Sequence, residues 1–168
     1  SFPINTPILT TYTPTEKERL DMIADRFYKD SSKWYVIAKA NKEARWNVIN
    51  QVKGFWANIG WKPNAKRLHD FIIKYDPHVL SAFTGRDPTS KVGKMKWVKK
   101  NTGFKRANVH LVLRSQKKSY AKTKEEKPNV LIDDYDKNIK EWEAAGGIGI
   151  LHTDVGKTIN KLKGLGFK

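Results

Sequence analysis

The chain has 168 residues, of which 39% are hydrophobic and 11% aromatic, so it has enough apolar material for one globular domain and is not wholly disordered. No apolar run approaches the roughly 20 residues of a membrane span, and the lack of cysteine excludes disulfides and thiolate chemistry. The net charge of +16 favours a partner that carries phosphate. We expect a protein of the cytoplasm, or of a virion if a phage encodes it, with no membrane partner.

The first part of the chain is predicted to contain one strand followed by several helices. The strand covers residues 8–12, and Thr13, Pro14 and Glu16 form a helix-start pattern directly after it. Apolar residues at helical spacing continue to about residue 52. These helices are too many for one crossover between neighbouring strands, so residues 14–62 are expected to form a small helical cap inserted after strand 1.

The second part alternates between strands and helices. Such alternation predicts a mainly parallel sheet with helices on both faces. The chain is therefore expected to be a single α/β domain, with a core formed by 1–13 and 63–168. The predicted strands cover 78–83, 107–113, 130–132 and 148–151, and the predicted helices cover 64–74, 90–100 and 155–165, with further helical segments around Tyr120 and after Asp134.

Polar side chains follow three of these strands where each strand ends. Ser81 ends the second strand, Lys117 and Lys118 follow the third, and Asp133 and Asp134 end the fourth. The carboxyl ends of parallel strands meet at one edge of the sheet, where open α/β sheets bind ligands. A hydroxyl and an ammonium suit a phosphate, and paired carboxylates suit Mg²⁺. No metal-ligand spacing of histidines is present, so a zinc site is not expected.

Five stretches carry a family resemblance, which covers roughly residues 45–168. The chain resembles the haloacid dehalogenase (HAD) superfamily, in particular its phage and bacterial 5'(3')-deoxyribonucleotidase-like branch. The resemblance implies a Rossmann-like three-layer HAD fold with a cap. The stretches are FWANIGWKPNAKRLHDFI (55–72), HVLSAFTGRD (78–87), KKSYA (117–121), LIDDYDKNIKEWEAAGGIGILH (131–152) and TINKLKGLGF (158–167).

The resemblance also implies roles for individual residues. Ser81 would be the phosphoryl-binding hydroxyl of the second family motif. Lys118, or its neighbour Lys117, would be the lysine of the third motif. Asp133 and Asp134 would hold Mg²⁺ as the acids of the fourth motif, which is where the match is strongest.

The first family motif, Asp-x-Asp with its nucleophilic first aspartate, is missing. Threonines, Thr11 and Thr13 among them, stand where the aspartates belong. An alcohol without an adjacent base is a poor nucleophile, and threonine supplies no carboxylate for a metal. Asp21 and Asp25 have the wrong spacing to replace it. Either the catalytic strand has been lost from this chain, or the domain is a degenerate one; the presence of a plausible first strand favours degeneration.

Residues 91–127 contain 13 Lys/Arg and two acids, so 11 of the 16 net positive charges fall within 37 residues. A solvated lysine-rich face is the simplest explanation, and a phosphate-bearing partner is the functional one. Trp97, Phe104 and Tyr120 lie among the lysines and suit base stacking, although core packing is the more frequent role and the one expected for Trp97. The predicted phosphate or nucleic-acid patch consists of Lys91, Lys94, Lys96, Lys99, Lys100, Lys105, Arg106, Arg114, Lys122 and Lys124.

Three functions are consistent with these features. The first is a HAD-like domain that binds the phosphates of nucleotides or nucleic acid, DNA rather than RNA, and is impaired in Mg²⁺-dependent phosphomonoester hydrolysis. The second is an active nucleotide or nucleic-acid-end phosphatase whose nucleophile is supplied elsewhere or truncated. The third is a basic DNA-binding or structural protein of a phage particle, built on a HAD scaffold.

Overall fold

The computed structural model describes residues 54–58, 60–85 and 87–168, together with the backbone of residues 7–9. Within these residues the strands are β1 (Pro7–Leu9), β2 (His78–Ala82), β3 (Val109–Val112), β4 (Val130–Asp133) and β5 (Ile148–Leu151). They form one sheet in the order β3-β2-β1-β4-β5, and every neighbouring pair is parallel. The backbone of β1 therefore lies at the centre of the described sheet.

Helices alternate with the parallel strands, which confirms the predicted mixed α/β class. The α-helices of the described residues are α1 (Ala65–Ile72), α2 (Thr89–Asn101), α3 (Asp136–Ala144) and α4 (Val155–Gly164). None of the helices described is long and apolar enough to cross a membrane. Short 3-10 helices cover Trp56–Asn58, Ile73–Tyr75, Arg106–Asn108 and Arg114–Tyr120.

Apolar side chains cover both faces of the sheet because alternate residues of each strand point to opposite sides. On one face, Ile132 of β4 packs in a cluster with residues of α1 and α4, among them Ile72 and Leu162. On the other face, Leu131 packs with residues that include Trp142 of α3. These side chains are 0–1% exposed, so β4 is buried on both sides, as its continuous apolar run predicts.

Gly146 and Gly147 make a tight connection between α3 and β5. Gly146 has φ +90°, a conformation that side chains rarely adopt. A Cβ atom on Gly147 would lie 2.2 Å from Nε1 of Trp142. The Trp142 indole is fully buried and donates to the Asn129 carbonyl oxygen at 3.1 Å. The glycines therefore let β5 approach the tryptophan closely.

Several of the predictions fall outside the described residues. These include the part of the predicted first strand after Leu9, most of the expected cap over 14–62, and the four residues considered for the missing motif, which are Thr11, Thr13, Asp21 and Asp25. The observed strand β1 ends at Leu9 within the described backbone.

The strand order creates a crevice at a defined place. The chain order runs in one direction from β1 through β2 to β3, and in the other from β1 through β4 to β5. The order reverses between β1 and β4, and open α/β sheets bind ligands outside the carboxyl ends of the strands at such a switch point. Asp133 and Asp134 lie at this point, because β4 ends at Asp133.

Candidate functional site

The end of β4 carries a buried ion pair between Asp133 and Lys117. Lys117 lies on the 3-10 helix before β4, and its Nζ donates to Asp133 Oδ2 at 3.0 Å. The lysine side chain is 6% exposed and the aspartate side chain 1%. The pair therefore places an ammonium and a carboxylate, both shielded from bulk water, at the carboxyl edge of the sheet.

Two further donors hold the Asp133 carboxylate in place. The backbone N–H of Tyr135 donates to Oδ1 at 2.9 Å, and the Asn138 side-chain amide donates to Oδ2 at 2.9 Å. Both donors come from the turn and first helical residues directly after β4, because α3 begins at Asp136. Arg114 donates to the Asn138 Oδ1 atom at 3.1 Å. This network ties the 3-10 helix, β4 and α3 together around one carboxylate.

Ser81 lies on the other side of β1, two residues beyond Val79, whereas Asp133 is one residue beyond Ile132. Leu9 pairs with Val79 of β2 and with Ile132 of β4, so Ser81 and Asp133 lie on the strands that flank β1, just beyond its end. Ser81 is fully buried. Nζ of Lys94 approaches its Oγ at 3.4 Å and donates to the Ala82 carbonyl oxygen at 2.5 Å.

Lys94 differs from its assignment to the surface patch, because its residue surface is only 9% exposed. It lies on α2 midway between Ser90 and Val98, which are also buried. Residues four apart lie on the same side of a helix, so Lys94 faces the sheet as they do. Its ammonium also lies 4.8 Å from the centroid of the Trp56 ring. The lysine-rich composition of this segment gives no sign that Lys94 is buried. Its spacing of four residues from Ser90 and from Val98 is the signal that could have identified it as buried.

The loop between β2 and α2 is built around a buried acid, Asp87. Its Oδ1 accepts from the backbone N–H and the hydroxyl of Thr89 at 3.0 and 2.6 Å. Its Oδ2 accepts from the indole N–H of Trp56. Asp87 is 1% exposed, so it fixes the start of α2 and the position of Trp56 beside Lys94.

A largely apolar cavity of about 100 Å³ opens beside the acids. Its walls include aromatic residues from three segments of the chain, and the rings of Trp61 and Trp97 lie 4.9 Å apart between centroids. Phe104 and His69 contribute further rings, 5.8 Å apart. The rim carries Lys62, Asp133, Asp134 and His152. The cavity therefore combines flat apolar walls with a charged end at the switch point.

Asp133 and Asp134 lie in different surroundings, because Asp133 is the last residue of β4 and Asp134 lies in the turn after it. Asp134 is exposed as a residue but lines the cavity. Partial burial of its carboxyl raises the pKa of Asp134, the charge of Asp133 raises it further, and Lys62 opposes the change. Burial lowers the pKa of His152, and Lys62 lowers it further. Burial beside the cavity is therefore the largest cause of both shifts.

The remaining predicted residues are distributed as follows. Lys118 is exposed on the 3-10 helix, next to the buried Lys117. Among the patch residues, three form ion pairs with other described residues, namely Lys105 with Asp76, Arg114 with Glu141 and Lys122 with Glu126. Exposed positions are occupied by Lys91, Lys96, Lys99, Lys100, Arg106 and Lys124. Within the described part of the chain, no three His, Asp or Glu side chains gather as candidate metal ligands.

Comparison with known proteins adds no family. No protein-family model matches the chain, and no curated protein sequence matches it. The function proposed below therefore rests on the side chains gathered at the carboxyl edge of the sheet.

Proposed function

We propose that the chain is a HAD-like, 5'-nucleotidase-related domain that binds the phosphate group of a nucleotide or nucleic acid at the carboxyl edge of the sheet and does not hydrolyse the ester. The observation that carries the proposal is the buried Lys117–Asp133 pair at the switch point. Removing both charges from water costs several kcal/mol per ion, which attraction between the two repays only in part. We infer that this cost is balanced by the function of the Lys117 ammonium, which is held in a fixed position where open α/β sheets bind ligands.

Ser81 and Lys94 add a second polar group on the other side of β1. Lys94 brings a second ammonium to the carboxyl edge, within 3.4 Å of the Ser81 hydroxyl. Hydroxyl and ammonium donors bind phosphoryl oxygens through charge-assisted hydrogen bonds that are about twice as strong as neutral ones. A phosphate bound between β2 and β4 would therefore receive donors from both sides of β1.

The residues present fit a magnesium ion in donor type. Mg²⁺ is commonly held by one or two carboxylates together with waters and substrate phosphates. Asp134 would supply a carboxylate, because it is exposed beside the cavity and directly follows Asp133. Asp133 would contribute as its neighbour while it accepts from Lys117. A bound Mg²⁺ would neutralise phosphate charge.

Hydrolysis would need a nucleophilic carboxylate opposite Asp133, and the sequence after Leu9 offers threonines instead. A threonine hydroxyl without a paired base attacks phosphorus poorly at neutral pH. The proposal is therefore a binding protein and not a phosphatase.

Titration with inorganic phosphate and with a deoxynucleoside monophosphate, followed by isothermal calorimetry with and without Mg²⁺, tests the proposal. We expect binding that S81A weakens about tenfold, the loss of about one hydrogen bond to a charged group. Ser119→Ala is the matched control, because Ser119 is exposed and donates only to the Gln116 carbonyl oxygen. Absence of binding, or equal weakening by both variants, would refute the proposal.

An assay with p-nitrophenyl phosphate distinguishes the phosphatase alternative. We expect no hydrolysis above background. Turnover that depends on Mg²⁺ and is lost in D133N would show that a nucleophile is present after all, and would replace the binding function with an enzymatic one.

A further inference from the structure

Helix α2 has two faces of different chemistry. Ser90, Lys94 and Val98 are buried against the domain, whereas the lysines between them face solvent. At 100° per residue, Lys96, Lys99 and Lys100 fall on the half of the helix opposite the buried line, whereas Lys91 lies nearer to that line, over the Phe83 ring. We call Lys96, Lys99 and Lys100 the α2 lysine face.

The α2 lysine face has no acidic partner close to it in the sequence. No Asp or Glu occurs between Asp87 and Glu125. Helices α3 and α4 differ, because Lys140 of α3 pairs with Asp136 at 2.7 Å and Lys157 of α4 with Asp154 at 3.7 Å. A face that served only solubility would gain from acids at i, i+4, since pairs of opposite charge stabilise a helix and like charges destabilise it.

Like charges do repel within α2. Lys96 and Lys100 are four residues apart, and Lys96 and Lys99 are three apart, so each pair lies on neighbouring turns of the helix. The helix dipole favours cations in the last turn, which accounts for Lys99 and Lys100 but not for Lys96. A bound polyanion would remove this repulsion.

The α2 lysine face is connected to the candidate site. Helix α2 follows the carboxyl end of β2, and its Lys94 reaches Ser81. With a rise of 1.5 Å per residue, its 13 residues extend for roughly 20 Å. Trp97 of the same helix lines the aromatic cavity beside Asp134. Lysines and aromatic rings are therefore presented by one element that begins at the phosphate site.

We propose that the α2 lysine face binds the phosphate backbone of a nucleic-acid strand, so that the ligand of the site is the end of a strand and not a free nucleotide. Lysines along the backbone with aromatic rings for the bases are the combination used by proteins that bind single strands. An acidic membrane would use the lysines but not the rings within the cavity, and the face carries one exposed apolar side chain, Val92. The proposal rests on the proposed function for the terminal phosphate only.

The test is fluorescence anisotropy with a 5'-phosphorylated, 3'-labelled single-stranded DNA of about 12 nucleotides, a length within the usual site size. The variant is K96Q/K99Q/K100Q. Each phosphate contact on a single strand contributes about 0.7 to the slope of log K against log salt. Loss of three contacts should lower that slope by about 2 and weaken binding about a hundredfold at 0.1 M salt. Inorganic phosphate should bind the variant as it binds the unchanged protein.

The matched control is K157Q/K161Q/K163Q on α4, which removes the same charge from three exposed positions. Helix α4 contacts β5 and α2 contacts β3, so the two triplets lie over opposite edges of the sheet. We expect the control to keep most of the affinity for the strand. Equal weakening by both triplets would overturn the proposal, because it would show attraction to net charge and not to a surface.

Other outcomes separate the two proposals. If the protein binds the DNA strand through the α2 lysine face but does not bind inorganic phosphate, the proposed function is refuted and the α2 proposal stands. Intact phosphate binding with no affinity for the strand would overturn the α2 proposal alone. Binding of phosphatidylserine vesicles through the same three lysines, without binding of DNA, would also overturn it in favour of a membrane surface.

Discussion

Lys117→Met should destabilise the chain strongly, because it leaves the Asp133 carboxylate buried without its cation. The two side chains are 6% and 1% exposed and their charged atoms lie 3.0 Å apart. Removing one partner of such a buried pair costs about 3–5 kcal/mol, against a stability of about 5–15 kcal/mol for a whole domain. With an m value of about 2 kcal/mol/M, the midpoint of urea unfolding should fall by about 2 M.

A double-mutant cycle isolates the interaction between the two charges. Asp133→Asn alone should also be costly, because it leaves the Lys117 ammonium buried. Lys117→Met with Asp133→Asn should cost less than the sum of the two, with a coupling of at least about 1 kcal/mol. The coupling should not change between low and high salt, since buried pairs are screened much less than exposed ones.

The exposed pair of Lys140 with Asp136 on α3 is the matched control. Its side chains are 73% and 56% exposed at a charged-atom distance of 2.7 Å. Lys140→Met should leave the urea midpoint unchanged within error. If Lys117→Met shifts the midpoint no more than this control does, or if the cycle shows no coupling, the buried pair does not organise the end of β4.

Gly147→Ala should lower the free energy of unfolding, measured in urea, by about 1–3 kcal/mol through overpacking, since its Cβ would lie 2.2 Å from Trp142 Nε1. Gly164→Ala is the control and should be neutral or slightly stabilising, because the space around Gly164 is open. Equal effects of the two substitutions would contradict the packing at Gly147. Partial burial raises the pKa of Asp134, so the free energy of unfolding should fall as the pH rises from 3.8 through the folded-state pKa. Above that pH range, Asp134→Asn should be more stable than the unchanged protein in thermal melts recorded over a series of pH values. Burial lowers the pKa of His110, so the free energy of unfolding should fall as the pH drops from 6.5 through the folded-state pKa. His110→Gln should make the stability less dependent on pH in that range.

The local pattern of the sequence was sufficient to predict most elements. Residues 130–132 and 148–151 form apolar runs that end in turn residues, and β4 and β5 occupy those positions. Helix α4 covers Val155–Gly164, within the range 155–165 that the apolar spacing predicts. These features depend on neighbours in the chain, so propensity and periodicity carry them.

Contacts between distant residues could not be read from the sequence. Two adjacent lysines follow β3, and only the rotation of the 3-10 helix decides that Lys117 and not Lys118 faces Asp133, 16 residues away. Lys94 stands in a run of lysines, yet its phase on α2 turns it inward to Ser81. A side chain's direction depends on the helix phase and on which strand lies beneath it, and neither is set by the residue type.

The sequence by itself determined the charge of the chain, the alternation of strands and helices, and the position of two acids after the run at 130–132. The tertiary structure decided that this run lies beside β1 at the switch point, and that Asp133 is buried in an ion pair while Asp134 is exposed beside the cavity. The physical reason is that the 3-10 helix and α3 enclose the carboxylate at the end of β4, whereas Asp134 lies in the turn after the strand. Adjacent residues of one type therefore enter different surroundings, which only the packing of the helices defines.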